Sequence, residues 1–271
     1  NQPLNGWGAT TVNVRDMSSM FQSTPKFDQD ISGWDVSNVT NMGNMFYSAA
    51  VFNSPLNGWG AKTGKVTNMS QMFMYAPKFN QPIDGWNVSK VTNTSLMFYQ
   101  ANSFNQDLNS WDVSSLVNPN QMFQNAAVFN GNISNWRFTT DPAKSVNMSS
   151  MFYAAPAFNQ DIKGWNMKRV TNINSMFQSA NAFNQDISGW DISNITNAVN
   201  FLNGAKLSRA NYDTLLKGWS TLDSGETKIP VNLNVNFGSS KYSNVTAVVN
   251  ARSFLTPTKN WTITDGGTTN D

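Results

Sequence analysis

From one aromatic residue to another, the chain measures a constant step. The intervals Phe21 to Trp34, Phe46 to Trp59, Phe73 to Trp86, Phe98 to Trp111, Phe123 to Trp136, Phe152 to Trp165 and Phe177 to Trp190 are all 13 residues. A second phenylalanine recurs at Phe27, Phe52, Phe79, Phe104, Phe129, Phe158 and Phe183, and whole copies return every 25 to 29 residues. That period belongs to repeat architectures, in which each unit buries its apolar face only against its neighbours. The return path is not constant. It takes 8 residues from Trp34 to Met42, 10 from Trp59 to Met69 and 12 from Trp136 to Met148, so length variation is confined to one loop per copy.

Spacing within a copy predicts local structure. Met42, Met45, Phe46, Ala49 and Phe52 step by three, one, three and three, which predicts a short helix with Thr40 or Asn41 as its N-cap. Over 31–37, Trp34 and Val36 alternate with Gly33, Asp35 and Ser37, which predicts a short strand. The expected fold is an α/β repeat solenoid: about eight coils of strand, loop and short helix over 1–203. An asparagine stands just before the methionine position at Asn41, Asn68, Asn93, Asn118, Asn147, Asn172 and Asn197, with Asp16 in the first copy. Such a rank is expected to cap helices or satisfy buried turn backbone.

The repeats fade after Asn197. Tyr212, Leu215, Leu216 and Trp219 have helical spacing, and Ile229, Val231, Leu233, Val235 and Phe237 alternate as a strand. A second helix near 244–254 and a strand around Trp261 complete an expected α/β cap over 204–265, because an open stack exposes its edge. Residues 266–271 read as a linker. The first seven residues, Asn1 to Trp7, match Asn80 to Trp86, so the chain is expected to start inside a repeat and to be one module of a longer protein.

Composition removes whole classes of chemistry. There is no histidine and no cysteine, which excludes Ser-His-Asp and Cys-His catalysis, imidazole or thiolate zinc sites, and disulfides. A net charge of +2 with only 13% charged residues offers no field for nucleic acid. No run approaches the roughly eighteen apolar residues of a membrane span, so no direct membrane insertion is expected.

The run from Trp34 to Met42 (Trp-Asp-Val-Ser-Asn-Val-Thr-Asn-Met), followed by Met45-Phe46, Ala49 and Phe52-Asn53, resembles the BspA-like leucine-rich-repeat surface proteins, also known as DUF285 repeats. Leu207-Ser208, Ala210 to Asp213, Leu215-Leu216, Lys241 to Ser243 and Trp261 to Gly267 are similar to the usual ending of marine-bacterial members. The resemblance implies a leucine-rich-repeat-like, right-handed coil in an extracellular adhesin on a bacterial cell surface, with no catalytic residues to carry over. Arg137-Phe138 in place of Asp-Val, Thr94 in place of Met and Pro119 in place of Met depart from the pattern.

In a leucine-rich-repeat arrangement the outward strand positions line one polar face. Its candidate ligand-binding residues are Asp35 and Ser37, Asn87 and Ser89, Asp112 and Ser114, Arg137 and Thr139, Asn166 and Lys168, and Asp191, with Asp141 and Lys144 from the longest loop. The expected function is non-catalytic recognition of a peptide, protein or glycan on a host or neighbouring cell surface, without a cofactor. Further domains of the same chain are the other expected partners. A passive spacer within a long adhesin is the alternative. Carboxylate-based glycoside hydrolysis stands further off, since no singular acid pair departs from the repeated ranks. Calcium between coils on Asp30, Asp107, Asp161 and Asp186 is weighed against turn capping, and capping is preferred because Pro55, Pro82 and Asn132 interrupt that rank.

Overall fold

Each copy meets the next through its Asn-x-x-x-Met-Phe segment. The structure, a computed structural model, describes residues 4–269. In it the asparagine rank forms parallel bridges from Asp16 to Asn41, Asn41 to Asn68, Asn68 to Asn93 and Asn93 to Asn118. The series continues with β1 (Val146–Asn147) paired to β2 (Val170–Asn172), and with Asn172 bridged to Asn197.

Backbone donors alternate along this segment. Met42, Asn44, Phe46 and Ser48 donate to the carbonyls of Asn68, Ser70, Met72 and Met74 in the next copy at 2.8–2.9 Å. Met45, Tyr47 and Ala49 instead donate to Met42, Asn44 and Phe46 within the copy, and Gly43 donates to the Asn41 side chain. Every N–H from Met42 to Ala49 therefore has a partner, as buried backbone requires.

The helix expected over 42–52 does not form. An α-helix keeps its N–H groups to itself, whereas here every second one is needed by the neighbouring copy. Asn44 and Ser48 have φ of +58° and +54°, and the same two ranks are positive at Gln71 and Tyr75, Leu96 and Gln100, and Gln121 and Asn125. These angles lie far from helical values. Overlapping four-residue turns give the same apolar steps of three and four, because they too bring every third or fourth side chain inward. The expected strand over 31–37 is also replaced by turns, with Trp34 donating to Ile31 and Val39 to Val36 at 3.0 Å. Its burial pattern stands, with Trp34 and Val36 inside and Gly33 outside.

The core is a set of aromatic ladders. Phe46 and Phe52 stack at 4.0 Å within a copy, and Phe46, Phe73, Phe98 and Phe123 stack at 5.4–5.6 Å between copies. From Trp34 to Trp190 each repeat tryptophan indole donates to a carbonyl of the preceding copy, as Trp59 does to Ile31 at 3.0 Å, Trp86 to Leu56 at 3.2 Å and Trp136 to Leu108 at 2.7 Å. A buried indole needs such an acceptor. The constant 13-residue arc is closed by ring contact between its two ends, at 6.4 Å for Phe73 and Trp86 and 6.3 Å for Phe152 and Trp165. A change of arc length would break the stack or the indole bond.

The cap opens with α1 (Arg209–Trp219), whose N-cap Ser208 accepts from Asn211. β3 (Asn234–Asn236) prolongs the ladder through a bridge from Ala198 to Val235, and β5 (Thr262–Thr264) pairs with β3 in parallel. Beside them β4 (Tyr242–Ser243) and α2 (Thr246–Ser253) precede a π-helical turn at Phe254–Thr258. The alternation expected over 229–237 holds from Leu233 to Phe237, with strand structure confined to Asn234–Asn236, and is broken before that by buried Pro230 and by Val231, which is exposed beside Asn232, where φ is +59°. Thr268–Thr269 forms β6 against β4, so this part of the expected linker is paired structure; Asn270 and Asp271 lie outside the described residues, as do Asn1 to Pro3 of the expected mid-repeat start. Asp265 holds this end in place, accepting from the Tyr212 hydroxyl at 2.8 Å, Arg252 at 2.9 Å and the Gly267 N–H at 3.0 Å.

Candidate functional site

The predicted outward rank is largely occupied by its own backbone. Asp35, Asn87, Asp112, Asn166 and Asp191 each accept, through Oδ1, the N–H two residues on, from Ser37, Ser89, Ser114, Lys168 and Ser193 at 2.9–3.1 Å. Asx turns of this kind shape a loop from within. The hydroxyl and N–H of Ser37 hold the Asp35 carboxyl below its ordinary range. Thr139 is buried and accepts from the Asp141 N–H, so it does not face a ligand.

The longest loop is equally self-engaged. Asp141 accepts from Ala143 at 2.9 Å and stands 3.9 Å from Lys144, an exposed pair that contributes little to stability. Arg169 fastens the loop by donating to the carbonyls of Lys144 and Pro142. Arg137 donates to the carbonyls of Ser134 and Trp136, with its guanidinium over Gly164. Asn87, Asp112, Ser114, Arg137, Asp141, Lys144 and Lys168 keep exposed surface.

The acidic rank weighed for calcium also supports turns. Asp30, Asp161 and Asp186 accept from residues 32, 163 and 188, Asn132 does the same for Ser134, and Asp107 accepts the Asn132 N–H of the next copy. Burial raises the Asp186 pKa, but bonds from Lys163, 2.8 Å away, and Ser188 outweigh it and leave the group below its usual value. Among the described residues no group of three or more acidic, histidine or cysteine side chains is placed to hold a metal. None of their helices is long and apolar enough to cross a membrane.

The surface that sequence reasoning missed lies over the ladder. Assigning 42–52 to a helix hid the fact that Asn44 and Tyr47 in one copy, and their counterparts in the others, share a face. Gln121 donates to Gln124 at 2.8 Å, which joins the two ranks. Half-buried Tyr47, Tyr75 and Tyr99 form a row across three successive copies, with ring centroids 5.7 and 5.3 Å apart and planes near perpendicular. Desolvation, then the Tyr99 and Tyr47 phenols, hold the Tyr75 hydroxyl above its ordinary pKa. The stretches 41–50, 68–77, 93–102, 118–127, 147–156 and 172–181 contain no Asp, Glu, Lys or Arg, a signal that was open to view in the sequence.

The family model described as "Mycoplasma protein of unknown function, DUF285" matches residues 1–63, 60–146 and 139–219. No curated protein and no solved structure matches the chain. The matched stretches cover the aromatic ladders and reach Trp219 in α1, so the chain is a repeat protein that belongs to the DUF285 family.

Proposed function

We propose that this chain is a non-catalytic binding module of a bacterial cell-surface adhesin. In this reading it is a leucine-rich-repeat-like solenoid that recognises a peptide, protein or glycan on another cell. The observation that carries the proposal is the ladder face, an unbroken uncharged surface of amides, hydroxyls and tyrosines repeated over successive copies. Its composition is that of recognition surfaces, in which tyrosine supplies contact area at low entropy cost and small polar residues supply adaptable hydrogen bonds. The carboxylates of the outer ranks speak against hydrolysis, since those of Asp30, Asp35, Asp112, Asp161, Asp186 and Asp191 are committed to turn backbone.

An array of glycans, peptides and surface proteins probed with this chain tests the proposal, and saturable binding to one class is the expected result. Binding to none of them would favour a passive spacer, a second reading that the continuous inter-copy ladder supports. If a triple change of Arg137, Asp141 and Lys144 to alanine left affinity unaltered, the rim predicted from sequence would drop out and the ladder face would remain.

A further inference from the structure

We infer that the ladder face binds an uncharged polysaccharide chain lying along the row Tyr47, Tyr75 and Tyr99, an inference that rests on the binding-module reading above. Charge is the first argument. Each charge-free stretch sits where its copy pairs with its neighbours, while lysines, arginines and carboxylates are relegated to other turns, such as those at Lys62, Lys90, Asp112 and Lys163. Within those stretches an acidic glycan, a phosphate or a basic segment would find no counter-charge, the nearest lysine in sequence being exposed Lys78, three residues past Tyr75. A neutral polymer needs none.

The groups present suit sugar hydroxyls and sugar C–H faces. Gln71, Gln100 and Asn125 each offer a donor and an acceptor on one planar amide, which can meet adjacent hydroxyls together. The half-exposed tyrosine rings give an apolar platform with a polar edge. The Tyr47, Tyr75 and Tyr99 rings follow one another at 5.7 and 5.3 Å, one per copy, so a polymer of like units can meet like groups at each step.

Titration calorimetry with soluble neutral glucans, mannans and galactans, alginate as the acidic comparison, and the peptides and proteins of the array tests the inference. The expected result is binding to at least one neutral polysaccharide and none to alginate. The triple variant Tyr47→Gln, Tyr75→Asn, Tyr99→Gln should bind at least tenfold more weakly. Those replacements stand at the equivalent positions Gln124 and Asn125, so the copy accommodates them, and an unchanged circular dichroism spectrum and melting curve would verify folding. Undiminished glycan binding by the folded triple variant would overturn the inference, as would a preference for alginate. Binding of a peptide or protein with no neutral glycan would overturn it while leaving the binding module standing, and no binding to any probe would overturn both.

Discussion

Trp219 donates its indole N–H to the carbonyl of Ile187 at 3.2 Å, repeating across the cap junction the bond that Trp190 makes to Ile162. Beside it, a Cβ at Gly218 would stand 2.4 Å from the Ser188 carbonyl oxygen, as one at Gly58 would stand 2.4 Å from that of Ser32. Helix α1 thus brings a Gly-Trp pair to the contacts that a 3-10 helix over Asn57–Thr63 makes through Gly58 and Trp59. The cap is bonded as one more copy, with a different chain path leading to the same rung.

Trp219→Phe should therefore destabilise the chain although the ring is kept. The Ile187 carbonyl would lose its buried partner, a cost of about 1–3 kcal/mol, while Trp219→Ala should cost about 3–5 kcal/mol. Urea denaturation measures both. A phenylalanine variant as stable as the original would show that the indole bond contributes nothing.

A second asparagine ladder is open to a chemical test. Asn53, Asn80, Asn105, Asn130, Asn159 and Asn184 each accept, through Oδ1, the N–H of residue 80, 105, 130, 159, 184 or 208 in the next segment. Asn105→Ala should cost about 1 kcal/mol, and Asn105→Asp, which keeps the acceptor, should cost less. Equal losses in thermal melts would assign the effect to packing instead.

Leu96→Asn is expected to hold or raise stability, by up to about 1 kcal/mol. Leu96 is a half-buried leucine with positive φ, and Asn44 occupies the same position with the same backbone angle. A clear loss in the denaturation midpoint would mean that leucine packing outweighs the strain.

Acid should weaken the fold in a defined window. Asp30 is held below 3.8 by the hydroxyl and N–H of Ser32, and Asp16 by those of Ser18 together with Asn41. A carboxyl whose pKa is lower in the folded state adds stability above its unfolded value and loses it as pH falls through the folded one. Stability should thus decline below about pH 4. Asp30→Asn keeps the acceptor, as Asn132 does for Ser134, so it should flatten the acid limb without much change at neutral pH. An unaltered melting profile against pH would remove Asp30 from this role.

Burial was legible before the path of the chain was. Trp34, Val36, Phe46 and Phe52 are all inside, as their spacing implied, and the Asn41 rank does serve turn backbone. The local conformation was not legible, because steps of three and four between apolar residues fit a helix and a series of overlapping turns equally. Glycine would have betrayed the positive φ, but Tyr75, Leu96 and Gln121 occupy those positions instead. That one substitution of turns for helix also moved the candidate surface. Asp35, Asn87 and Asp112 each brace their own turn, Asn87 and Asp112 with their surface still exposed, and Tyr47, Tyr75 and Tyr99 came together on a face that no strand assignment could have drawn. In the cap, α1 and the pairing of β3 with β5 follow the apolar pattern, whereas Val231 escapes it at a kink.

The alternating backbone bonds also determine how the molecule responds to force. Every second N–H of the ladder lies along the direction in which copies succeed one another. Tension between the two ends loads these rungs in series, so every copy bears the same force and the weakest gives up its own ladder bonds and indole bond first. Under load the chain lengthens one copy at a time, as an extensible tether whose remaining copies stay folded.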